Sequence, residues 1–325
     1  MITDHVVSEM TVDQWFNQWI YLIKGYRKPK TITNYSNYYN NNIKSVIGNM
    51  PITDVKPMHC SLVLQNMIGT YKVSSIKQTR VAMSCMFQYA LDNEVIQRNP
   101  VGKSVTIPYE SPSYTDNQRH LYLTPNESVL FLRFASTSPY YLQFQLVLET
   151  GLRASELVGL TYDEIDLDNN TLHIRHTLLY DKENGWYFLT PKSKQGIRDI
   201  FMTPKCRSII KEILQKRKRM RCLTSNKYSN LLFLSRNGIP IRISSYNLSI
   251  RKICDKAGMQ YFSMHSLRHT FATRCVLAGM STKVLQDVMG HSDISTTMNY
   301  YVHISESLKQ EEMNKLAAFE TQNNI

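Results

Sequence analysis

His265-Ser-Leu-Arg268-His269-Thr-Phe-Ala-Thr273, followed by Gly290-His291-Ser-Asp-Ile-Ser-Thr-Thr-Met-Asn-Tyr300, is the stretch from which the rest of the chain can be read. His265 and Arg268 are three residues apart, so on a helix they project from one face. Val284, Leu285, Val288 and Met289 make an apolar helical pattern that Gly290 is placed to end. Further back, Thr150-Gly151-Leu152-Arg153-Ala154-Ser155-Glu156 sets an arginine at the start of a helix whose Leu157 and Leu160 face inward. Glu156 shares the face of Arg153 and is placed to orient its guanidinium. Between these segments lies Pro191-Lys192-Ser193-Lys194-Gln195-Gly196-Ile197-Arg198. Arginines, a lysine and histidines of this kind can clamp a phosphodiester and neutralise charge as it builds. A tyrosine beside them can attack phosphorus and hold it covalently. Taken singly, each has a plainer reading: Arg153 as a surface arginine, His265 as a core histidine with Arg268 in solvent, a lysine exposed on a hairpin, any of the 20 tyrosines as packing.

The charge balance points to a compatible partner. Lys and Arg number 38 against 26 Asp and Glu, giving +12 and a pI near 9.3. A surplus of that size favours a polyanion, either nucleic acid or an anionic membrane. The sequence has no run of about 18 apolar residues. Its first 20 residues carry Asp4, His5, Glu9 and Asp13 without an apolar stretch. Neither a membrane span nor a signal peptide is therefore expected, and nucleic acid is the better partner. Cys60, Cys85, Cys206, Cys222, Cys254 and Cys275 are scattered, without Cys-x-x-Cys spacing or a completing His pair. They read as reduced thiols of a cytoplasmic protein with no metal site. The run Lys216-Arg217-Lys218-Arg219-Met220-Arg221 reads as a solvated helix end or a phosphate contact.

A chain of 325 residues with 42% apolar content has room for two domains with sizeable cores. Thr11 can cap a helix with Val12, Trp15, Phe16, Trp19, Ile20 and Ile23 on one face. Thr31 opens a second, with Tyr35, Tyr38, Tyr39 and Ile43 at helical spacing; Gly48 and Pro51 interrupt it. Ser61–Met67 and Ser74–Asn93 follow as helices, with Asn99-Pro100 as the stop. Residues 101–123, polar and broken by Pro108 and Pro112, are the linker candidate. Thr124-Pro125 starts a helix, and a helix over 139–149 is followed by the Gly151 turn and another through Leu160. Residues 171–179 and 186–201 alternate as strands. Helical pattern returns at 204–220 and dominates from 265 onward.

In this order and with these local sequences, the motifs resemble the tyrosine recombinase (phage integrase) family, most of all integrases of phages and conjugative transposons. The resemblance covers nearly the whole chain. It implies a mainly α fold with a small β-sheet (α+β): a helical, SAM-like core-binding domain over 1–105, a linker over 106–122, a catalytic domain over 123–304 and a tail helix over 305–325. The two domains of such enzymes form a C-shaped clamp on double-stranded DNA. Many members carry a further amino-terminal arm-binding domain. Thr11 already begins the helical pattern here, so that domain is expected to be absent or removed.

The resemblance also implies roles. Arg153, Arg268 and His291 bind the non-bridging phosphate oxygens, Tyr300 attacks to form a 3′-phosphotyrosine, Lys192 protonates the departing 5′ oxygen, and His265 assists proton movement or positioning. Tyr300 stands nine residues after His291, the family spacing, with Tyr301 as the alternative. Lys192 fits the Lys-Ser that precedes an Arg-x-Ile stretch, here Arg198-Asp199-Ile200, with Lys194 as the alternative. His269 and His303 match no catalytic position. No ATP, metal or other cofactor is implied. A homo-tetramer working through a four-way junction is implied, with room for a DNA-bending or excision accessory factor. Residues 306–319 are amphipathic (Leu308, Met313, Leu316 and Phe319 on one face) and are expected to dock on a neighbouring protomer. Three other readings stand beside this one. A metal-dependent nuclease or transposase needs clustered carboxylates, whereas the acidic residues are dispersed apart from Asp163, Glu164, Asp166 and Asp168 in a turn. A type IB topoisomerase would run similar chemistry as a monomer. A DNA-binding regulator would keep the basic surface without the six residues.

Overall fold

The computed structural model describes residues 10–107, 122–181, 185–189, 194–219, 226–295 and 297–298. The chain divides into two compact units, Met1–Asn117 and Gln118–Ile325.

In the first unit, Thr11 caps α1 (Val12–Ile23) with a capping box: its hydroxyl accepts the Gln14 N–H while the Gln14 side chain accepts the Thr11 N–H. Val12, Trp15, Phe16, Trp19 and Ile23 of α1 are buried, as their spacing predicts. The next helix, α2 (Pro29–Tyr38), starts ahead of Thr31, because Pro29 fits the first turn where its missing N–H is no loss. It buries none of its residues and passes into a π turn, Tyr39–Ile43, and a last α turn, Lys44–Ile47. The π turn shifts the helical phase so that Tyr39, Asn42 and Ile43 all reach the core. Tyr39 stacks on Phe16 with ring centroids 3.7 Å apart, and its hydroxyl donates to Asp13. The third helix, α3 (Pro57–Gln65), also begins at a proline, four residues before Ser61. The long α4 (Val73–Asp92) closes the core with Ile76, Met83, Met86, Phe87 and Ala90. It stops well before Asn99-Pro100, at a reversal where Glu94 takes φ +59°. The start of the 101–123 stretch packs with this unit. Val101 and Val105 are buried in this core, and Arg80 holds the carbonyls of Val105 (2.6 Å) and Gly102 (3.2 Å).

The second unit opens with Leu123, buried and donating its N–H to Thr270 Oγ1 at 2.9 Å. Thr124 and Glu127 form the capping box of α5 (Pro125–Ala135). Then come α6 (Tyr141–Thr150), ended by Gly151 at φ +64°, and the short α7 (Ala154–Gly159). The β-structure is two small antiparallel sheets. Strands β1 (Ile165–Asp166), β2 (Thr171–Ile174) and β5 (Arg198–Phe201) pair in the order β1-β2-β5, while β3 (Thr177–Asp181) and β4 (Gly185–Leu189) pair with each other. Each predicted strand thus breaks in two. The first breaks because the Arg175 N–H and His176 Nδ1 both turn to Glu164 Oε1, at 2.9 and 2.8 Å. The second is interrupted before β5 by the 3-10 turn Lys194–Gly196. Helix α8 (Pro204–Arg219) ends in the basic run. Helix α9 (Ile243–Ala257) is one the sequence pattern did not single out; it buries Tyr246, Ile250, Ile253 and Cys254. The last described helices are α10 (Met264–Leu277) and α11 (Thr282–Met289), the latter capped by Ser281 and ended by Gly290 at φ +64°. Phe131, Phe144 and Phe262 interlock at the centre of this unit's core. Among the described residues no helix is long and apolar enough to cross a membrane. Residues 306–319 lie outside the described residues.

A Cβ at Gly151 would lie 2.4 Å from Phe271 Cδ1 and 2.9 Å from Met289 Sδ, at a φ that L side chains resist. Gly151→Ala is expected to lower the unfolding free energy by about 2 kcal/mol or more, measured as a lower urea midpoint. An unchanged midpoint would show that the Phe271 ring yields freely.

Candidate active site

Two of the residues singled out by sequence spacing, Arg153 and Arg268, meet at the carboxylate of Glu156, which is fully buried. Arg153 precedes the first turn of α7. Its N–H donates to Glu156 Oε2 (2.9 Å), its Nη1 to Oε1 (2.6 Å) and its Nη2 to the Gly290 carbonyl (2.7 Å). The Arg153 side chain stays 35% exposed, so part of the guanidinium faces out of the cluster. Arg268, on α10, is buried. Its Nη1 donates to the Gly151 carbonyl (2.6 Å) and lies 4.0 Å from Glu156, and its Nη2 donates to the Met289 carbonyl (2.5 Å). The two arginines therefore grip successive carbonyls at the end of α11, Met289 and Gly290. These carbonyls come from the helix end, where backbone acceptors lack intrahelical donors.

His291 follows directly and is buried. Arg268 Nη2 lies 3.0 Å from its Nε2, and Thr297 Oγ1 lies 2.9 Å from its Nδ1. A guanidinium only donates, so Nε2 is an acceptor and the imidazole proton sits on Nδ1, facing Thr297. Burial, and then the charges of Arg268, Arg153 and Arg198, push the His291 pKa down to about 4. His265 occupies an exposed position on α10, its ring 4.3 Å from that of His269 and nearly perpendicular to it. His269, read as structural or surface, is half-buried; burial, then His265 and Arg268, push it down to about 4. Lys192, Tyr300 and Tyr301 lie outside the described residues; the backbone of Lys194 opens the turn before β5.

Two members of the cluster were not singled out from sequence. Thr297 sits among look-alike threonines and serines with nothing to mark it. Arg198 had a signal. It occupies the same strand phase as buried Ile200, an apolar position, and it is itself buried. Its Nη1 and Nη2 bind both Glu156 oxygens (3.0 and 2.9 Å), and its Nε donates to the Val288 carbonyl (2.6 Å). Burial alone would raise the Glu156 pKa. The Arg198 hydrogen bonds and charge, with those of Arg153 and Arg268, outweigh it and hold the acid near 2.

The carboxylates of the 163–168 turn are engaged locally. Asp163 accepts from Asn230, Glu164 from the Thr161 N–H, and Asp166 from the N–H groups of Asp168 and Asn169. Among the described residues no three or more His, Cys, Asp or Glu side chains gather as a metal site.

The chain matches the phage integrase family over residues 121–307 and the phage integrase N-terminal SAM-like domain over residues 11–68. It is 31% identical over 284 residues to the transposase from transposon Tn916 of Enterococcus faecalis, covering 84% of this chain and 69% of the relative. It is 26% identical over 315 residues to a XerC-like tyrosine recombinase of Caldanaerobacter subterraneus, covering 91% and 80%. The structure of the Tn1549 transposon integrase in complex with a circular intermediate DNA superposes with a TM-score of 0.81 at 28% identity, covering 94% of this chain and 99% of that one. The chain belongs to the phage integrase family, and it is a site-specific tyrosine recombinase.

Neutral buried histidines make stability depend on pH with a definite sign. His269 and His291 titrate near 6.5 when unfolded and near 4 when folded, so between these values the unfolded chain binds more protons. Their contribution is complete above pH 6.5 and is lost as pH falls toward 4. The urea midpoint should be lower at pH 5 than at pH 7.5, with a smaller difference in His269→Asn. Equal midpoints at both pH values would contradict the burial of neutral imidazoles.

Proposed function

We propose that the Glu156 cluster binds the scissile phosphodiester of duplex DNA, and that the chain cuts and rejoins DNA at specific sites through a 3′-phosphotyrosine. The observation that carries this reading is the convergence of Arg153, Arg268 and His291, from three separate segments, into one hydrogen-bonded group. Their fixed donors supply the positive field that a pentavalent phosphorus requires, already oriented before the reaction begins. Tyr300 Oη attacks phosphorus, and the bond to the 5′ oxygen breaks as Lys192 gives that oxygen a proton. His265, at the exposed edge, helps the tyrosine proton leave. A 5′-hydroxyl from a partner strand then attacks the phosphotyrosine and reverses the step. His291 Nε2 now accepts from Arg268, so donation from Nε2 to a phosphoryl oxygen requires a proton; an adjacent anion favours its uptake by raising the histidine pKa.

The same reading assigns 1–105 to a core-binding DNA domain, 106–122 to a linker, 123–304 to the catalytic domain and 305–325 to a tail. It places the protein in the cytoplasm as the integrase of a mobile element, acting as a tetramer on attachment sites with a DNA-bending or excision factor as an added partner. The transposon origin of the Tn916 and Tn1549 relatives supports the element; the +12 net charge supports the polyanionic partner.

On a nicked suicide substrate in the presence of chelator, a covalent protein–DNA adduct is expected. It should vanish in Tyr300→Phe and persist in Tyr301→Phe, while affinity for DNA stays nearly unchanged. The reverse pattern would move the nucleophile by one residue, and no adduct in either protein or parent would remove the reading.

The tail gives a second expectation. An amphipathic helix over 306–319 has to bury its Leu308, Met313, Leu316 and Phe319 stripe. Truncation after Ser305 should leave a folded protein that binds a single site but fails to assemble tetramers, as read by light scattering of the DNA complexes. Tetramers formed by the truncated chain would refute tail docking between protomers, and unfolding would show that the tail packs on its own domain.

A further inference from the structure

We propose that Arg198 is a positioning residue that fixes the turn Lys194–Gly196, next to the leaving-group lysine in sequence, to the phosphate-binding cluster. The proposal rests on the reading of Lys192, or its neighbour Lys194, as the proton donor to the 5′ oxygen.

Arg198 lies on an edge strand of the three-stranded sheet. It is the first residue of β5, immediately after the segment holding both lysines. Its backbone is set by the sheet: Arg198 pairs with Ile174 of β2, and Arg175 Nη1 donates to its carbonyl at 3.0 Å. Its side chain runs inward and is 5% exposed. There the guanidinium serves three different places. Both oxygens of Glu156 accept from it, so it is one carboxylate away from Arg153. The Val288 carbonyl accepts from Nε, which ties it to the last turn of α11, two residues before Gly290 and three before His291. The carbonyl of Gly196, in the turn Lys194–Gly196, accepts from Nη1 at 3.3 Å.

The packing leaves no slack at this point. A Cβ on Gly290 would stand 2.9 Å from Arg198 Nη1 and 3.1 Å from its Cδ. Gly290 is thus needed for a left-handed turn and also for the arginine to pass. A lysine cannot replace this arrangement, because one ammonium cannot present the planar fork to a carboxylate and a third donor to a carbonyl on its far side. The Lys194–Gly196 turn, the Glu156 carboxylate and the end of α11 before His291 therefore share one rigid anchor. A general acid works only within hydrogen-bond reach of the atom it protonates, and the anchor sets that reach by holding the adjoining turn.

A residue that merely stabilises the fold would slow every substrate alike. A positioning residue for the general acid would not. When the bridging 5′ oxygen is replaced by sulfur, the departing thiolate needs no proton, so the lysine and whatever positions it become dispensable. Cleavage should be measured for the parent protein, Arg198→Met, Arg198→Lys, Lys192→Ala and Lys194→Ala on oxygen and sulfur suicide substrates. Thermal melting and half-site affinity are recorded for each. The expected result is that Arg198→Met binds DNA nearly as well as the parent but cleaves the oxygen substrate about 100-fold more slowly, the scale of a misplaced catalytic group. The sulfur substrate should recover about tenfold or more of that loss. Arg198→Lys should fall between. If Arg198→Met fails to melt cooperatively, the same comparison is read from Arg198→Lys, which keeps the charge opposite Glu156. Equal slowing on both substrates, with one lysine variant rescued, would overturn the proposal while leaving the general-acid reading intact. Rescue of neither lysine variant would overturn both.

Discussion

The second unit is organised around a shortage of negative charge. Among the described residues, Glu156 is the one carboxylate in hydrogen-bond contact with Arg153 and Arg198, and Arg268 stands 4.0 Å away. Among the described residues, three guanidinium groups share one carboxylate in a region where water screens little. Removing the acid from such a group is expected to cost about 3–5 kcal/mol, because the remaining charges stay buried without a counterion. A protein selected for stability alone would fill this volume with apolar side chains, often with no loss. The excess makes sense when an anion completes the site. The histidines fit the same logic. His269 and His291 are kept neutral beside the arginines, so they add no charge until an anion arrives.

The local chain geometry that makes this possible is carried by two glycines. Gly151 and Gly290 both adopt left-handed backbone at helix ends, and each is followed closely by a residue of the cluster. Their carbonyls are exchanged. The Gly151 carbonyl receives Arg268, and the Gly290 carbonyl receives Arg153. Each helix end thus supplies the acceptor for the arginine that the other segment brings. Acceptors left over by helix termination become the orienting contacts of the cationic side chains, and the arginines keep their planar forks in fixed attitudes.

The parts of this arrangement that are local in sequence were legible there. Thr11 and Thr124 as caps, the inward stripe of α1, Gly151 and Gly290 as stops, and Glu156 as the partner of Arg153 all follow from spacing over three or four residues. What the sequence hid depends on longer-range choices. The π turn at Tyr39–Ile43 inserts a phase shift that no fixed period describes. Helices α2 and α3 begin at prolines, earlier than their first polar caps suggest. The strand over 171–179 breaks because Glu164, from an earlier turn, takes the donors of Arg175 and His176. Helix α9 had a readable stripe in Tyr246, Ile250, Ile253 and Cys254, masked by polar residues on its other face. Arg198 was overlooked because a charged residue in an apolar strand phase looks like noise until the carboxylate it meets, 42 residues away, is known.

The contact between Arg153 and Gly290 joins positions 137 residues apart. During synthesis the amino-terminal end emerges first and folds by units. Arg153 and its carboxylate therefore exist long before the helix end that Arg153 must grip. A ribosome that stalls, or a message that is cut short, releases a chain with half a cluster. Such a fragment has Arg153 and Glu156 without the helix end that Arg153 grips. Because the cluster draws on segments 137 residues apart, it can assemble only after the chain has been made through Gly290.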